Sequence, residues 1–515
     1  MTDERSFVEL LGRAARADAD RVFALFDGAP MTFGTLDRRS DALALSLRGL
    51  GVAPEERVAV MMRNGPSALA TVFGLGKAGI VWVPINAGLR GDGLRFILTH
   101  AQPRAVIVDA DLAGAIRACG AAPGASLLVH GAVPGPNRLE PLLDGEALFP
   151  ESPPTDQTAF AISYTSGTTG APKGVIVTHR MLRLAGEAAA LVSAVRDEDV
   201  LLVWEPLYHI GGSQLIVLPL IRRVTLAMVD RFSASRFWRE ARSYGATHVH
   251  YLGGVLQILL KQPPSPLDRA HGVRVAWGGG CPPDVWRACV DRFGLEIREC
   301  YGMTEASSIT TYNDTGAVGT VGRPVPWFAV ELRDADGRPV SPGARGEIVV
   351  RAKRPGALFP GYFRDPEATA RALRGGELYT GDVGSFDRDG NLCFHGRMTD
   401  SVRCRGEHVS AWEVEHVAAT HPAVEDCAMV GVAAEIGEQE IKLFVQLRPG
   451  ARVSPEDLSA WLGERLAPYQ HPRYLAIVDS FERTPSHRIM KHRLSRDTGD
   501  CWDRLVHTRR RPSRA

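Results

Sequence analysis

A short stretch of this sequence, Tyr164-Thr-Ser-Gly-Thr-Thr-Gly-Ala-Pro-Lys-Gly174, gathers hydrogen-bond donors between an apolar segment and the β-like run Val175–His179. Its glycines let the backbone turn tightly, so several amide N–H groups can point at one spot. Hydroxyl groups and one ammonium group add to these amides, at Thr165, Ser166, Thr168, Thr169 and Lys173. Such a loop suits a polyphosphate, and the alternative is an ordinary surface turn. It is not a Walker A loop, because the Gly-Lys-[Ser/Thr] ending is missing.

Further segments with reactive or flexible residues follow in order along the chain. They are Pro206–His209, Gly278–Pro282, Tyr301–Glu305, Tyr379–Asp382, and Gly396-Arg397 with Gly406 and Glu413–Glu415 downstream. Together with the donor-rich loop, these segments resemble the motifs of the adenylate-forming (AMP-binding) superfamily. That superfamily contains acyl-CoA synthetases, luciferases and the adenylation domains of peptide synthetases. The resemblance extends over residues 30–495.

Four other segments are similar to one branch of that superfamily, the carnitine/crotonobetaine-CoA ligases. They are Val83–Ala87, Ser235–Trp238, Gly406–Ser410 and Glu440–Lys442. The branch is a weak guide to the acid that is activated, because residues of the acyl pocket vary more than residues that contact the nucleotide.

The resemblance implies activation of a carboxylic acid by ATP, so negative charge must be offset on both sides of the α-phosphorus. It implies that the loop holds the β- and γ-phosphates and that Glu305 holds Mg²⁺, a hard cation that takes oxygen ligands. Tyr301 would stack on adenine, and Thr304 would donate a hydrogen bond to the α-phosphate. Asp382 would accept both ribose hydroxyls, and Arg397 would contact the ribose or a phosphate. The structural alternatives are a first-turn helix carboxylate for Glu305, a turn residue for Asp382 and a surface ion pair for Arg397.

The resemblance also assigns the remaining site residues. Thr165, Lys173 and His209 are implied to be catalytic, and the further nucleotide contacts are Ser166, Gly167, Thr168, Thr169, Gly170, Gly279, Gly280, Cys281, Gly302 and Met303. The acyl pocket would be lined by Tyr208, His209, Gly253, Gly254, Gly278 and Gly279. A pantetheine tunnel for coenzyme A would run past Gly406, with Arg403 and Arg405 near the CoA phosphates. As alternatives, His209 is a structural residue or a hydrolase base without a Gly-x-Ser-x-Gly partner, and the two arginines are solvated.

Two positions depart from the pattern of the superfamily. The hinge position two residues after Arg397 is usually Asp or Lys, and here it is Thr399. The C-terminal motif, typically Thr-x-x-Gly-Lys, reads Thr484-Pro-Ser-His-Arg-Ile-Met-Lys491, so Arg488 replaces the lysine that bridges the carboxylate and the α-phosphate. Arginine keeps the charge but replaces a compact ammonium group by a wide planar fork. Either Arg488 or Lys491 therefore supports adenylation, or the chain performs only one half-reaction.

Alternating elements must position these groups. Short β-branched runs and helix-length segments alternate from Val58 to Val108 and resume between Leu201 and Ala276, which favours parallel sheets flanked by helices. Gly74–Gly79 satisfies G-x-G-x-x-G, but these glycines precede a strand instead of following one, so they indicate a helix end. From about 317, glycine- and proline-marked strands predict a β-rich subdomain.

A second boundary follows Arg397. The pattern predicts helices over 413–420 and 455–466, with Ser454 as N-cap, and strands over 426–432 and 441–447. The resulting expectation is an α/β fold with an AMP-binding domain at 1–397, whose β-rich part covers 317–397, and a mobile α+β lid at 398–495. Residues 496–515 are expected to form a disordered basic tail.

Composition limits the class of protein. The chain has 515 residues, 45% of them hydrophobic and 23% charged, which is ordinary globular composition. A net charge of +1 gives no reason to expect a nucleic-acid partner. The 8 cysteines form no Cys-x-x-Cys pair, which argues against a disulfide framework or a structural zinc site. Without a signal-type N-terminus or a long apolar run, we expect a cytoplasmic protein with no integral membrane segment.

These observations predict an ATP- and Mg²⁺-dependent carboxylic acid–CoA ligase whose partners are ATP, CoA and a small-molecule acid. The alternatives are an adenylating enzyme that loads a carrier protein, and a ligase-like protein that performs one half-reaction. The sequence leaves the oligomeric state open, with a homodimer as the candidate. Glycines in the acyl pocket leave volume for a bulky acid.

Overall fold

The computed structural model describes most of the chain. The described residues are 5–122, 124–132, 135–146, 148–165, 172–252, 254–341, 343–398, 401–404, 407–434, 439–466, 470–483 and 489–508. Some residues discussed above lie outside these ranges, namely Ser166, Gly167, Thr168, Thr169, Gly170, Gly253, Thr399, Arg405, Gly406 and Arg488. Only the backbone of Arg403 is described. The chain divides into two compact units, residues 1–330, 350–379 and 390–392, and residues 331–349, 380–389 and 393–515.

Helices occur in both units. They are α1 (Phe7–Ala17), α2 (Phe33–Gly49), α3 (Pro66–Lys77), α4 (Gly91–Ala101), α5 (Ala113–Cys119), α6 (Glu140–Leu143), α7 (His179–Ser193), α8 (Ile210–Ser213), α9 (Leu218–Ile221), α10 (Phe237–Ser243), α11 (Val255–Leu260), α12 (Pro283–Phe293), α13 (Pro366–Ala372), α14 (Ala411–Ala419), α15 (Pro455–Gly463) and α16 (Arg504–Thr508). Hydroxyl side chains cap several of them, as the Thr178 hydroxyl does by accepting a hydrogen bond from the Met181 amide of α7 at 3.2 Å. The predicted cap Ser454 accepts from the Asp457 amide at 3.1 Å.

In the described part of the first unit, two large sheets form up to residue 330. Their strands are β1 (Val22–Phe26), β2 (Ala29–Thr32), β3 (Arg57–Met61), β4 (Val81–Pro84), β5 (Ala105–Asp109), β6 (Ser126–His130), β7 (Ala159–Thr165), β8 (Lys173–Thr178), β9 (Val200–Val203), β10 (Thr225–Met228), β11 (His248–Leu252), β12 (Val275–Gly279), β13 (Glu296–Tyr301), β14 (Thr311–Tyr312) and β15 (Arg323–Pro324). One sheet has the order β15–β14–β13–β12–β11–β9–β10–β1–β2, and the other has the order β6–β5–β3–β4–β7–β8.

Most neighbouring strands of these sheets are parallel, as the alternating pattern predicts. The exceptions lie at the sheet edges, where β1 and β2, β13 and β14, β14 and β15, and β7 and β8 pair in antiparallel fashion. Parallel strands are covered on both faces, which explains why every residue of β5 is buried. The antiparallel β7–β8 pair means that the predicted phosphate loop joins two strands of a hairpin, an arrangement that the sequence pattern did not indicate.

The β-rich region predicted after residue 317 forms a small sheet. Its strands are β16 (Phe328–Arg333), β17 (Gly346–Ala352), β18 (Leu373–Arg374), β19 (Glu377–Phe386) and β20 (Leu392–Arg397), in the order β16–β17–β19–β18 with β20 also on β19. β19 carries Asp382 and β20 ends at Arg397, so this sheet positions both residues that were predicted to contact the ribose.

The described residues of the second unit from 401 onward form an α+β body. Its strands are β21 (Ser401–Cys404), β22 (Glu407–Ser410), β23 (Val424–Ala433), β24 (Gln439–Leu447), β25 (Tyr474–Val478) and β26 (Trp502–Asp503). β21 and β22 form a hairpin, and the other four form a sheet in the order β23–β24–β25–β26. Apolar residues of α14 and α15, such as Val414 and Leu458, pack in one core with Leu443 of β24.

The C-terminal tail differs from the expectation of disorder. Trp502 and Asp503 pair with Leu475 and Tyr474 of β25, and α16 follows directly. The Trp502 indole N–H donates to Glu456 at 2.7 Å, and Arg473 forms an ion pair with Asp503 at 3.2 Å. The charged composition of this segment did not indicate that Trp502 packs against the body or that residues 502 and 503 form a strand. Residues 509–515 lie outside the described part.

Two smaller observations complete the fold. Helix α3 ends at Lys77, and Gly79 follows with a φ of 62°, so the G-x-G-x-x-G segment is a helix end as expected. Within the described ranges, the structure contains no helix with the length and hydrophobicity that a membrane crossing needs.

Candidate active site

The predicted adenine loop follows directly from the packing of three parallel strands. Tyr251 of β11, Gly278 of β12 and Glu299 of β13 lie in register beside one another. Residues in register on parallel strands point to the same face, so the two outer side chains meet over the glycine. A Cβ atom at residue 278 would lie 1.8 Å from the Tyr251 carbonyl oxygen, so no other residue fits there without a shift of the backbone.

Glu299 lies beside the predicted adenine loop, and our sequence analysis missed it. Its side chain is buried, and Oε1 accepts hydrogen bonds from the Gly280 amide at 2.5 Å and the Cys281 amide at 3.0 Å. Oε2 accepts a hydrogen bond from the Tyr251 hydroxyl. The available signal was the alternation along β13, in which Glu299 occupies the same buried face as Ile297 and Tyr301. Burial raises the pKa of Glu299 to about 7.

This raised pKa predicts how stability depends on pH. An ordinary glutamate has a pKa of 4.5, so the folded protein keeps a proton that the unfolded chain releases between pH 4.5 and about 7. The stabilising contribution is complete below the lower value and is lost as pH rises through the higher one. Burial raises the pKa of the neighbouring Tyr251, Cys281 and Cys300, so these groups stay neutral in that range.

Glutamine has no carboxyl group, so the Glu299→Gln variant cannot release this proton. We expect the variant to gain stability relative to the wild type between pH 5 and pH 8.5, by at most on the order of 3 kcal/mol. Urea unfolding of both proteins at the two pH values measures the difference. Parallel pH profiles for the two proteins would show that Glu299 does not titrate in this range.

The Tyr301–Glu305 motif begins at the end of β13 and continues into a short 3₁₀ turn, Thr304–Ala306. A Cβ atom at Gly302 would lie 1.9 Å from the Ser308 carbonyl oxygen, so the backbone doubles back tightly on itself. Ser307 and Ser308 both have positive φ values, 49° and 71°, which are uncommon for residues other than glycine. The Ser307 hydroxyl donates to the Ala357 carbonyl at 2.6 Å, which fixes this turn.

Glu305 is buried and bound on two sides by one segment of the first unit. Its Oε1 accepts a hydrogen bond from the Tyr362 hydroxyl at 2.8 Å, and its backbone carbonyl accepts from the Phe359 amide at 2.9 Å. Tyr362 also forms an antiparallel bridge with Val175 of β8. Sequence analysis did not identify Tyr362, because no motif includes it.

Lys173 lies on the other side of the same tyrosine. Its ammonium nitrogen is 5.1 Å from the centre of the Tyr362 ring, a distance at which a cation is attracted to the ring face. Thr165 and Lys173 pair as the last residues of the β7–β8 hairpin before the undescribed loop. Tyr362 therefore connects the described end of the predicted phosphate loop to the predicted Mg²⁺ ligand Glu305.

The predicted acyl segment is fixed by a side chain that our sequence analysis missed. Asn64 donates to the Glu205 carbonyl at 2.8 Å and accepts from the Leu207 amide at 3.0 Å. A Cβ atom at Gly212 would lie 2.2 Å from the Pro206 carbonyl oxygen, so the chain turns tightly into α8. The ring of Tyr208 packs against His209 with centroids 4.8 Å apart.

A buried carboxylate and a buried imidazole lie next to this segment. Glu205 hydrogen-bonds to Nδ1 of His250, and the two residues are only 1% and 3% exposed. Among the residues that the structure describes, the other carboxylate oxygen, Oε2, has no hydrogen-bond partner. Cε1 of His250 lies 3.7 Å from the place that a Cβ atom would take at Gly211, and the Trp277 ring packs against the imidazole at a tilt of 53°, with centroids 4.3 Å apart. The structure thus brings the His209 segment together with β11, whose end precedes the predicted pocket residue Gly254.

Asp382 of the second unit is buried within β19 and is held by contacts with its neighbours. Its Oδ1 lies 3.3 Å from Nε of Arg397, so the two predicted ribose residues form an ion pair. Its amide donates to the Thr380 hydroxyl at 3.1 Å, and the Gly381 amide donates to Glu347 at 2.9 Å. Gly381 has a φ of 71°, a backbone conformation that favours glycine.

Lys491 has a defined partner within the second unit. Its ammonium group lies 2.8 Å from Oε1 of Glu415, and the same oxygen accepts a hydrogen bond from the Met429 amide at 2.5 Å. Glu415 belongs to the predicted hinge-region motif. Arg488, the other candidate for the bridging role, lies outside the described residues.

The comparisons with known proteins agree with these motifs. The model of the AMP-binding enzyme family matches residues 11–363, and the model of the AMP-binding enzyme C-terminal domain matches residues 413–488. A curated relative, the crotonobetaine/carnitine–CoA ligase of Salmonella typhi, is 31% identical over 482 residues, which cover 90% of this chain and 92% of the relative.

Solved structures give the same result. The structure of ATP-bound MatB from Rhodopseudomonas palustris is 25% identical with a TM-score of 0.85, covering 94% of this chain and 97% of that one. A benzoate CoA ligase from Burkholderia xenovorans LB400 is 27% identical with a TM-score of 0.84, covering 95% and 99%. This likeness confirms the predicted α/β fold class. The chain therefore belongs to the AMP-binding enzyme family and is an acid–thiol ligase.

Proposed function

We propose that the protein joins a carboxylic acid to coenzyme A in two steps. In the first, a carboxylate oxygen attacks the α-phosphorus of ATP, and pyrophosphate leaves to give an acyl-adenylate. In the second, the CoA thiolate attacks the acyl carbon, AMP leaves and a thioester forms. The observation that carries the proposal is the Lys173–Tyr362–Glu305 arrangement, because it joins a cation and a buried carboxylate at the end of a loop rich in donors.

Lys173 and the loop would offset the charge of the β- and γ-phosphates. Glu305 fits a Mg²⁺ role, because Mg²⁺ is usually held by one or two carboxylates together with substrate phosphates and water. When bound, the ion would neutralise charge on the leaving pyrophosphate. The Tyr362 hydroxyl fixes the orientation of the carboxylate through its hydrogen bond to Oε1. Thr165 and Thr304 would donate hydrogen bonds to phosphate oxygens.

The nucleoside half of ATP would be held by separate groups. Tyr301 would stack on adenine beside the backbone of Gly279–Cys281, with Gly302 and Met303 nearby. Asp382 would accept the ribose hydroxyls, and Arg397 already pairs with it. For the second step, Gly406 with Arg403 and Arg405 would contact pantetheine and the CoA phosphates, as the family resemblance implies.

The acid is not fixed by these residues. Tyr208, His209, Gly254, Gly278 and Gly279 would line the acyl pocket. The relatives are named for acids as different as carnitine and benzoate. A screen that traps acyl-adenylates as hydroxamates, over short, long, aromatic and polycyclic acids, would identify the substrate class.

Pyrophosphate release with the best acid from that screen tests the function. It should occur without CoA and accelerate with CoA, and a thioester should accumulate. Thioester on a carrier protein but not on CoA would favour the carrier-loading alternative. A protein that releases no pyrophosphate with any acid, yet converts supplied acyl-adenylate to acyl-CoA, would perform the thioester half-reaction only.

The substituted C-terminal motif gives a sharper prediction. Arg488→Ala should lower the adenylation rate by roughly 10²-fold or more, because one charge that stabilises the transition state is lost. The thioester step should be largely unaffected, because in members of the family this C-terminal motif moves away from the active site before that step. Lys491→Ala should have a smaller effect, because Lys491 is already paired with Glu415. Rates of pyrophosphate release and of thioester formation from supplied acyl-adenylate measure the two steps.

A matched control for this pair is Arg493→Ala, because Arg493 is an exposed neighbour that pairs with Glu482 at 2.9 Å. It should leave both half-reactions unchanged. A larger loss in Lys491→Ala than in Arg488→Ala would assign the bridging role to Lys491. No change in either variant would remove the C-terminal motif from the mechanism.

A further inference from the structure

The loop after β12 is held from below by one carboxylate. The register of the three strands places Tyr251 and Glu299 on the two sides of Gly278. With no side chain between them, the Tyr251 hydroxyl reaches Oε2 of Glu299, and this contact leaves Oε1 directed at the loop.

Two successive amides of the loop converge on that oxygen. The Gly280 N–H and the Cys281 N–H both donate to Oε1 of Glu299, at 2.5 Å and 3.0 Å. Gly280 has a φ of 96°, a conformation that side-chain-bearing residues rarely adopt. A buried amide without an acceptor is costly, so these two bonds select one backbone shape for the loop.

We infer that Glu299 is a positioning residue for the nucleotide, holding residues 279–281 in the conformation that receives adenine. The inference rests on the proposed function, from which the adenine contact of this loop is taken. Glu299 itself is buried beneath the loop and acts through the backbone of Gly280 and Cys281. Its effect should therefore follow the adenine group and not the phosphates.

Three substitutions of Glu299 separate the effect of side-chain length from the effect of the carboxyl group. Glutamine keeps the acceptor oxygen at the same distance, whereas aspartate keeps the carboxyl group but is one methylene shorter, and alanine removes both the reach and the carboxyl group. We expect Glu299→Ala and Glu299→Asp to weaken ATP binding by roughly tenfold or more, and Glu299→Gln to stay within about threefold of the wild type.

Isothermal titration with ATP, AMP and inorganic tripolyphosphate reads out the effect. The affinities for ATP and AMP should fall by the same factor in the alanine and aspartate variants. The affinity for tripolyphosphate, which lacks adenine, should not change. A control for general destabilisation is Asp199→Asn. Asp199 is a buried carboxylate directly before β9 of the same sheet, where it accepts from the Arg196 amide at 2.7 Å and from Arg274 at 2.6 Å.

Wild-type ATP affinity in a folded Glu299→Asp variant overturns the inference, even if Glu299→Ala does not fold. An equal loss of affinity for tripolyphosphate in the Glu299 variants, or an equal loss of ATP affinity in Asp199→Asn, would show a general structural role and would also overturn the inference. A loss of ATP and AMP binding confined to the alanine and aspartate variants supports it. A wild-type protein that binds no ATP overturns the proposed function and the inference together.

Discussion

Exchange of Glu305 for glutamine is expected to lower the rate of acyl-adenylate formation by roughly 10²- to 10³-fold. Glutamine keeps the shape of the side chain, so the hydrogen bond from the Tyr362 hydroxyl can persist, but the negative charge that would attract Mg²⁺ is lost. The dependence of the rate on Mg²⁺ concentration should weaken at the same time. Pyrophosphate release, measured across a Mg²⁺ titration with an acid that the wild type accepts, gives both quantities.

Glu296→Gln provides the matched control. Glu296 is at the exposed start of β13, the strand that leads into the turn of Glu305, and pairs with Arg298 at 2.7 Å. This variant should keep the wild-type rate and Mg²⁺ dependence. If Glu305→Gln also retained the wild-type rate at low Mg²⁺, Glu305 would have a structural role in holding the Tyr362 segment.

Replacement of Asp382 by alanine should nearly abolish ATP binding without changing the choice of acid. The expected loss is on the order of 2–4 kcal/mol for a charged hydrogen-bond partner in a buried position. That loss corresponds to roughly a 30- to 1,000-fold higher Kd. Arg397 would also lose its carboxylate partner, which lies 3.3 Å away. Isothermal titration with ATP measures the change directly.

A neighbouring aspartate serves as the comparison. Asp387 follows β19 and accepts a hydrogen bond from the Asp389 amide at 2.9 Å in the turn before β20. Asp387→Ala should bind ATP like the wild type. Unchanged ATP affinity in Asp382→Ala would contradict the proposed contact of Asp382 with the ribose, since no other role proposed for Asp382 involves the nucleotide.

Much of the fold could be predicted from the sequence because its strands carry strong local signals. The apolar run Ala105–Val108 became β5, and the runs at 426–432 and 441–447 became the long pair β23 and β24. Edge pairing was less predictable, because the direction of a strand at the end of a sheet depends on contacts that no local pattern records. The antiparallel partner of β7 is the clearest example.

The candidate site shows the same limit. Motif residues such as Glu305 and Asp382 could be named because their neighbours form recognisable strings. Tyr362 and Glu299 could not be named in this way, because their roles arise from distant partners. Tyr362 reaches Glu305 across 57 residues of sequence, and Glu299 reaches Tyr251 across 48. Spatial pairing over such separations is set by sheet order and register, which the sequence pattern left open.

The short strand β26 has a practical consequence for anyone who shortens this protein. Because Trp502 and Asp503 pair with β25, that strand has neighbours on both sides. A chain cut at residue 495, the boundary that the sequence suggests, would leave the outer edge of β25 open. Unpaired backbone groups along a sheet edge invite pairing with other chains. A shortened protein meant to stay monodisperse therefore needs to keep the residues through α16.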